Sequence, residues 1–235
     1  MLPRFGSLQS LATFLLWLSF PTAAQAQPRW QLGVDGLFGF PQGAFADTLD
    51  DTGYGLSAQL TYRLGETPFR IGGDFGWLRY GRQSRVEPFT PRVPEIGFEV
   101  STNYDIFLGH FLARWEPAAG DRLRPYLDGL IGVAYLATQS EVDSDVTFRP
   151  ILTTTNFDDY AFSAGAGVGL QVRISGDDLE KEGTFLDFRV RYLFGSEAEY
   201  LAEGGLTTRG GQVFLDAKRS RTDLFLFSVG VLFDL

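Results

Sequence analysis

What this chain lacks sets the first limit on its chemistry. Its 235 residues hold one histidine, His110, and no cysteine. A zinc centre draws three or four ligands from Cys, His and carboxylates, so no zinc set is expected, and there is no thiol nucleophile. Gly165-Ala166-Gly167-Val168-Gly169 resembles a phosphate-binding glycine loop only in composition. That chemistry needs a tight turn opening a helix, so that backbone N–H groups reach phosphate. Here the glycines fall on every second residue and no helical period follows, so they read as close packing in a strand. Glu141-x-Asp143-x-Asp145 has oxygen-ligand spacing but lacks the glycine and distal Glu of a calcium loop. Together with Asp47, Asp50, Asp51, Asp158 and Asp159, it reads as solvated acidic surface. No metal and no cofactor are expected. Asp and Arg residues interleaved at a spacing of two, as in Asp187-x-Arg189-x-Arg191, remain. Their role depends on the elements that carry them.

Those elements repeat every two residues. From Tyr54 the even positions are Tyr54, Leu56, Ala58, Leu60, Tyr62 and Leu64, while Gly55, Ser57, Gln59, Thr61 and Arg63 fill the odd ones. Side chains alternate across a strand, so one face is apolar and the other small or polar. Phe162–Ile174 and Leu186–Phe194 repeat the split. Eight such runs are expected: 30–40, 54–64, 69–80, 98–115, 124–138, 160–174, 184–194 and 222–235. Most match or exceed the roughly 9–11 residues that a tilted strand needs to cross a bilayer. In the fourth run the alternation blurs at Ile106-Phe107-Leu108, which leaves the facing of His110 open.

The connections alternate too. Residues 65–68, 116–123 and 175–183 are short, whereas 41–53, 81–97, 139–159 and 195–221 are long. Outer-membrane barrels have short periplasmic turns and longer extracellular loops. A soluble β-sandwich would solvate its second face with charge. Here that face is rich in Gly, Ser, Gln and Thr, which suits a tight lumen. Trp30, Phe40, Tyr54, Tyr62, Phe69, Trp115, Phe162 and Tyr192 lie near run ends, as interfacial aromatic girdles require. The expected fold is therefore all-β, an eight-stranded antiparallel up-and-down transmembrane barrel.

Residues 1–26 read as a cleaved signal peptide. Arg4 precedes the apolar stretch Leu11–Phe20, and Ala24-Gln25-Ala26 is a small-x-small cleavage site. Residues 27–235 form the barrel. The formal net charge is −9, and losing Arg4 makes it more negative, which argues against a nucleic-acid partner. The absence of cysteine suits passage through an oxidising periplasm.

Arg124-Pro125-Tyr126-Leu127-Asp128-Gly129-Leu130-Ile131-Gly132-Val133, Asp187-Phe188-Arg189-Val190-Arg191-Tyr192 and the closing run resemble the small outer-membrane barrels of the OmpA-membrane-domain, OmpX and OmpW kind, the porin-family barrels. The closing run presents Phe225, Phe227, Val229, Val231, Phe233 and Leu235 on one face. This looks like the signal read by the barrel-assembly machinery, although the family's usual last residue is aromatic. The resemblance implies periplasmic chaperones and that machinery as partners during biogenesis, then outer-membrane lipid and lipopolysaccharide. A soluble peptidoglycan-binding domain is not expected after the last strand.

Asp35, Asp74, Asp128 and Asp187 share the expected lumen with Arg63, Arg70, Arg173, Arg189 and Arg191. Charges in a narrow low-dielectric lumen must pair. The set reads as a structural network plugging the barrel, or as a narrow pathway gated by those pairs. The leading function is a non-enzymatic outer-membrane barrel whose loops serve envelope integrity or surface contact. The alternative is a narrow channel for small solutes or hydrophobic ligands. A lipid A-modifying enzyme ranks third, because His110 is expected in the periplasmic half and His110-Phe111-Leu112 lacks the His-x-Ser pattern of the lipid A deacylases.

Overall fold

The computed structural model describes residues 29–49, 52–90, 93–117, 122–143, 150–176, 183–209 and 212–235. The expected signal segment, 1–26, lies outside them, as do Asp50, Asp51 and Asp145. Ten strands follow one another: β1 (Trp30–Pro41), β2 (Gly53–Arg63), β3 (Phe69–Thr90), β4 (Val93–Trp115), β5 (Leu123–Asp143), β6 (Pro150–Ser175), β7 (Thr184–Gly195), β8 (Glu197–Arg209), β9 (Gln212–Arg221) and β10 (Leu224–Asp234). Eight of them close an antiparallel barrel in the order β1-β10-β7-β6-β5-β4-β3-β2, and β8 and β9 form a separate hairpin. The first and last strands close the barrel from Gln31↔Asp234 to Pro41↔Leu224. Closure matters because a bilayer offers no partner to an unpaired strand edge.

The period-2 reading of the faces holds. In β2, Tyr54, Leu56 and Leu60 point outward, while Ser57, Gln59, Thr61 and Arg63 are buried inside. In β6, Phe162, Val168 and Leu170 are outward and Gln171 is inward. The aromatic pairs Trp30–Tyr62, 4.8 Å between ring centroids, and Tyr135–Tyr160, 4.6 Å, lie on the outer surface. At the short-turn end, the link from β2 to β3 turns at Gly65, whose φ of 61° favours glycine.

At the opposite end the barrel differs from expectation. The stretches 81–97 and 139–159 are not open loops. β3 and β4 stay paired up to Thr90↔Val93, and β5 and β6 up to Asp143↔Pro150. Four strands of 21–26 residues thus make a tall wall on one side, opposite strands of 11 or 12. The stretch 195–221 is not a loop either but the β8–β9 hairpin. The sequence hides these extensions because above the apolar band no face needs to be apolar, as in Arg82-Gln83-Ser84-Arg85. Alternation then carries no signal.

Candidate functional site

Ionisable side chains from most barrel strands converge on the lumen. Its half nearer the short turns is a layered ion network. Lowest, Glu116 takes Arg63 Nη2 at 2.7 Å and Arg70 Nε at 3.2 Å. Asp234 beside it accepts Arg124 Nη1 at 2.9 Å and Gln31 Nε2 at 2.8 Å. Above these, Asp128 is the hub. Arg114 donates to it twice, from Nε at 2.8 Å and Nη2 at 3.1 Å, and Arg191 Nη2 donates at 2.8 Å. Arg191 Nη1 also lies 2.9 Å from Asp74. Arg189 meets Asp35 at 2.7 Å and Asp187 at 3.5 Å. The Tyr126 hydroxyl donates to Asp187 at 2.7 Å, and its ring lies 3.7 Å beneath the Arg114 guanidinium. Tyr126 fits because its cross-strand partner is Gly169, where a Cβ would collide with the phenol ring. The glycines of 165–169 therefore serve packing.

Alternation explains why these groups converge: on each barrel strand the positions opposite the apolar face point into one narrow space. Buried in this way, each charge needs a partner, and most have a bidentate or shared one. Arg173 departs from the expected set. It has no ion pair among the described residues and lies 5.3 Å from the Phe185 ring, which also stacks on Arg124 at 4.2 Å.

The other half of the lumen is apolar. Leu37, Leu78, Leu108, Leu130, Leu193 and Leu226 point inward from six strands. Two elements close over them. A 3₁₀ turn, Gly43–Phe45, brings in Phe45, with Leu49 just beyond it, and β8 brings in Tyr200 and Leu201. The rings of Phe45 and Tyr200 meet edge to face at 4.9 Å, and the Tyr80 hydroxyl donates to the Leu201 carbonyl at 3.1 Å. The expected inner face, rich in Gly, Ser, Gln and Thr, does not extend into this half.

His110 lies between the two zones. It faces inward, and its Nε2 is 2.9 Å from the Ser163 Oγ, a partner the sequence did not reveal. Its Nδ1 has no partner among the described residues, although Asp74 is its cross-strand neighbour on β3. The pair has the residue types of a nucleophile and a base but sits enclosed, without the carboxylate that would orient the ring.

A closed eight-stranded barrel with an apolar belt is an outer-membrane architecture, and the sequence says which family carries it. The outer membrane protein beta-barrel domain family matches residues 10–233. The chain belongs to that family. It is a protein of the Gram-negative outer membrane. The short turns thus face the periplasm, and the tall wall and hairpin face outside. Among solved structures it is similar to Neisserial surface protein A, with 12% identity, a TM-score of 0.49 and 88% and 97% of the two chains covered. It is similar also to Ail, the attachment invasion locus protein of Yersinia pestis, solved with the heparin analogue sucrose octasulfate. That match has 11% identity, a TM-score of 0.38 and 87% and 96% coverage. A third is outer membrane protein AlkL, at 15% identity, a TM-score of 0.35 and 91% and 94% coverage. Likenesses of this strength carry no argument about what the chain binds. No curated protein matches the sequence.

Several lumen residues of this outer-membrane barrel escaped the sequence reading. Arg114 and Asp128 lie opposite one another on β4 and β5, but the blurred alternation of β4 hid the first. Glu116 fell in an expected turn and Arg124 at a strand start. Asp234 was legible: it lies between Phe233 and Leu235, which face lipid, so it must face inward.

Proposed function

We propose that this barrel neither conducts nor catalyses, and that it serves the outer membrane by presenting its extracellular wall and hairpin for envelope integrity or contact. The observation that carries this is the two-layer filling of the lumen. A pore needs a continuous wet path, and an apolar constriction of lumen width excludes water. Leu37, Leu78, Leu108, Leu193 and Leu226, sealed by Phe45 and Leu201, make such a constriction. The absence of catalysis is supported by the enclosure of His110 and Ser163, away from the outer leaflet where a lipid A-modifying enzyme would find its substrate.

The test is planar-bilayer recording of the refolded protein. Silence across the accessible voltage range is expected, and resolved single-channel steps would overturn the proposal. One observation favours the channel reading instead. Arg189 Nε, Arg191 Nε, Arg124 Nε and Gln171 Nε2 are buried without a protein partner among the described residues. Water must satisfy such donors, so the periplasmic half suits a hydrated vestibule. A hairpin that moves aside would connect it to the outside.

Lipopolysaccharide, membrane lipid, periplasmic chaperones and the assembly machinery are the partners this reading assigns. Phe225, Phe227, Val229, Val231 and Phe233 occupy the outward positions of β10, and Leu235 is exposed just beyond its end. That is where an assembly signal carried by side chains would be read.

A further inference from the structure

Above the apolar band the outward face of the tall wall changes character in two steps. The first is a row of rings. Trp77, Phe107, Tyr135 and Tyr160 are successive cross-strand partners on β3, β4, β5 and β6. Phe107 and Tyr135 lie 6.1 Å apart, and Tyr135 and Tyr160 4.6 Å. Such a row marks the edge of the hydrocarbon. The next outward row, Arg79, Asp105, Ala137 and Asp158, carries charge. Arg79 donates from Nε to Asp105 Oδ1 at 2.8 Å and from Nη2 to Oδ2 at 3.0 Å, and its guanidinium lies 5.3 Å from the Trp77 ring. The carboxylate thereby fixes the plane of the guanidinium, while Nη1 has no hydrogen-bond partner among the described residues.

One row higher stands Arg82, and an irregularity of the strand puts it there. Arg79 and Arg82 have an odd spacing, which in a regular strand sends side chains to opposite faces. A register shift between Arg79 and Gly81 leaves Tyr80 as an extra residue. Arg82 therefore pairs with Asn103, which shares the outward face of Asp105 and Phe107. Bulges re-aim side chains in this way. Arg82 is exposed, and its polar contact among the described residues is the Ser101 hydroxyl at 3.5 Å. The cations of the hairpin differ: Lys218, Arg219 and Arg221 meet the carboxylates of Asp216, Glu197 and Asp223. Beside Arg82, Asn103 is 3% exposed and its Oδ1 has no donor among the described residues. The bulge thus gathers two guanidiniums and an unsatisfied acceptor on one outward patch, directly above the rings.

We propose that this patch binds the phosphorylated sugar headgroup of lipopolysaccharide. The proposal rests on the outward placement of the wall and gives the envelope role a ligand. What lies against an outward face just above the ring row is the headgroup layer of the outer leaflet, so position selects lipid. Charge selects an anion: guanidinium N–H groups pair with phosphate oxygens, and a planar guanidinium held in one orientation suits them best. Depth selects the kind of lipid. Asp105 and Asn103 are alternate residues of β4, so Arg79 and Arg82 stand at levels about 7 Å apart. A glycerophospholipid brings one phosphate at one level. A phosphorylated oligosaccharide brings anionic groups at several levels, with hydroxyl donors for Asn103 between them.

For the test, the full-length protein is refolded in detergent micelles and titrated with three probes: lipopolysaccharide, the same lipopolysaccharide stripped of phosphate, and phosphatidylglycerol. Native mass spectrometry counts the bound lipid. The parent should bind lipopolysaccharide and bind the dephosphorylated form roughly tenfold more weakly. Arg82→Gln should also lose roughly tenfold, and Lys218→Gln, on the hairpin, should lose nothing. Arg79→Gln alone leaves Asp105 without its partner, so the second variant combines Arg79→Gln with Asp105→Asn. It should weaken binding as Arg82→Gln does. Heat-modifiable migration on a gel checks that every variant is folded. Unchanged binding in Arg82→Gln overturns the proposal, as does equal binding of the dephosphorylated form. So does an equal loss in Lys218→Gln, which means attraction to charge anywhere on the surface. Phosphatidylglycerol bound as tightly as lipopolysaccharide, with the same loss in Arg82→Gln, assigns the patch to phospholipid and overturns it too. None of these outcomes bears on conduction, which the bilayer recording tests separately.

Discussion

Removing the Asp128 carboxylate tests whether the lumen is a dry filling. Asp128 takes two bonds from Arg114, at 2.8 and 3.1 Å, and one from Arg191 at 2.8 Å. The side chains of Asp128 and Arg114 are fully buried, and that of Arg191 nearly so. Asp128→Ala leaves Arg191 with Asp74, but Arg114 keeps only Gln59 Oε1 at 2.8 Å and the Tyr126 ring. Breaking one side of a buried pair costs about 3–5 kcal/mol, because the remaining charge stays desolvated. That is a large part of the roughly 5–15 kcal/mol by which a domain is stable. Lys218→Ala, at the exposed Lys218–Asp216 pair, is the reference and should cost no more than about 1 kcal/mol. Trp30, Trp77 and Trp115 lie on the lipid-facing surface, so tryptophan fluorescence during urea unfolding from vesicles reports both variants. If Asp128→Ala stays within about 1 kcal/mol of the parent, as an exposed pair would, then water already screens the network. The network is then a hydrated vestibule, and the case against conduction rests on the apolar layer above it alone.

Other expectations concern faces and seals. Val168 is 55% exposed to lipid, so Val168→Arg should cost about 2–4 kcal/mol and lower refolding yield, whereas Val168→Leu should refold like the parent. His110→Ala breaks the 2.9 Å bond to Ser163 and should cost about 1–3 kcal/mol by leaving a buried hydroxyl unpaired. Expression of parent or His110→Ala should leave the lipid A profile unchanged, and a change that only the parent produces would establish catalysis. Joining Gly195 to Thr222 by a short linker removes β8 and β9, and with them Tyr200 and Leu201 from the seal. If the plug closes the lumen, bilayer recordings should show steps only after this deletion.

The barrel was legible because lipid imposes a rule on every crossing strand: one face must be apolar. Eight strands and, outside the fourth, their facing follow from that rule, and the spacing between the runs supplies the order of turns. It does not reach beyond the bilayer, so the tall wall and the β8–β9 hairpin read as loops. Nor does parity say how full the lumen is. Gln171 faces inward as its parity requires, but its Oε1 accepts from Gln31 Nε2 at 3.4 Å in a packed lumen, so an arginine there is not the mild change its facing suggests.

The one place where alternation failed inside a crossing strand held information of its own. Ile106 and Leu108 point into the apolar plug while Phe107 points to lipid, where its ring lies 6.1 Å from Tyr135. Both faces of β4 are apolar at that depth, so period 2 vanishes. On β5 the same depth brings Ala134 and Leu136 into the plug and leaves Val133 outside. Two residues farther down β4, His110 faces the lumen, and the polar partners Arg114 and Glu116 follow on the same face. In a barrel whose lumen is polar throughout, alternation persists along the whole crossing. Its loss over one segment therefore marks the depth at which the lumen turns from polar to apolar.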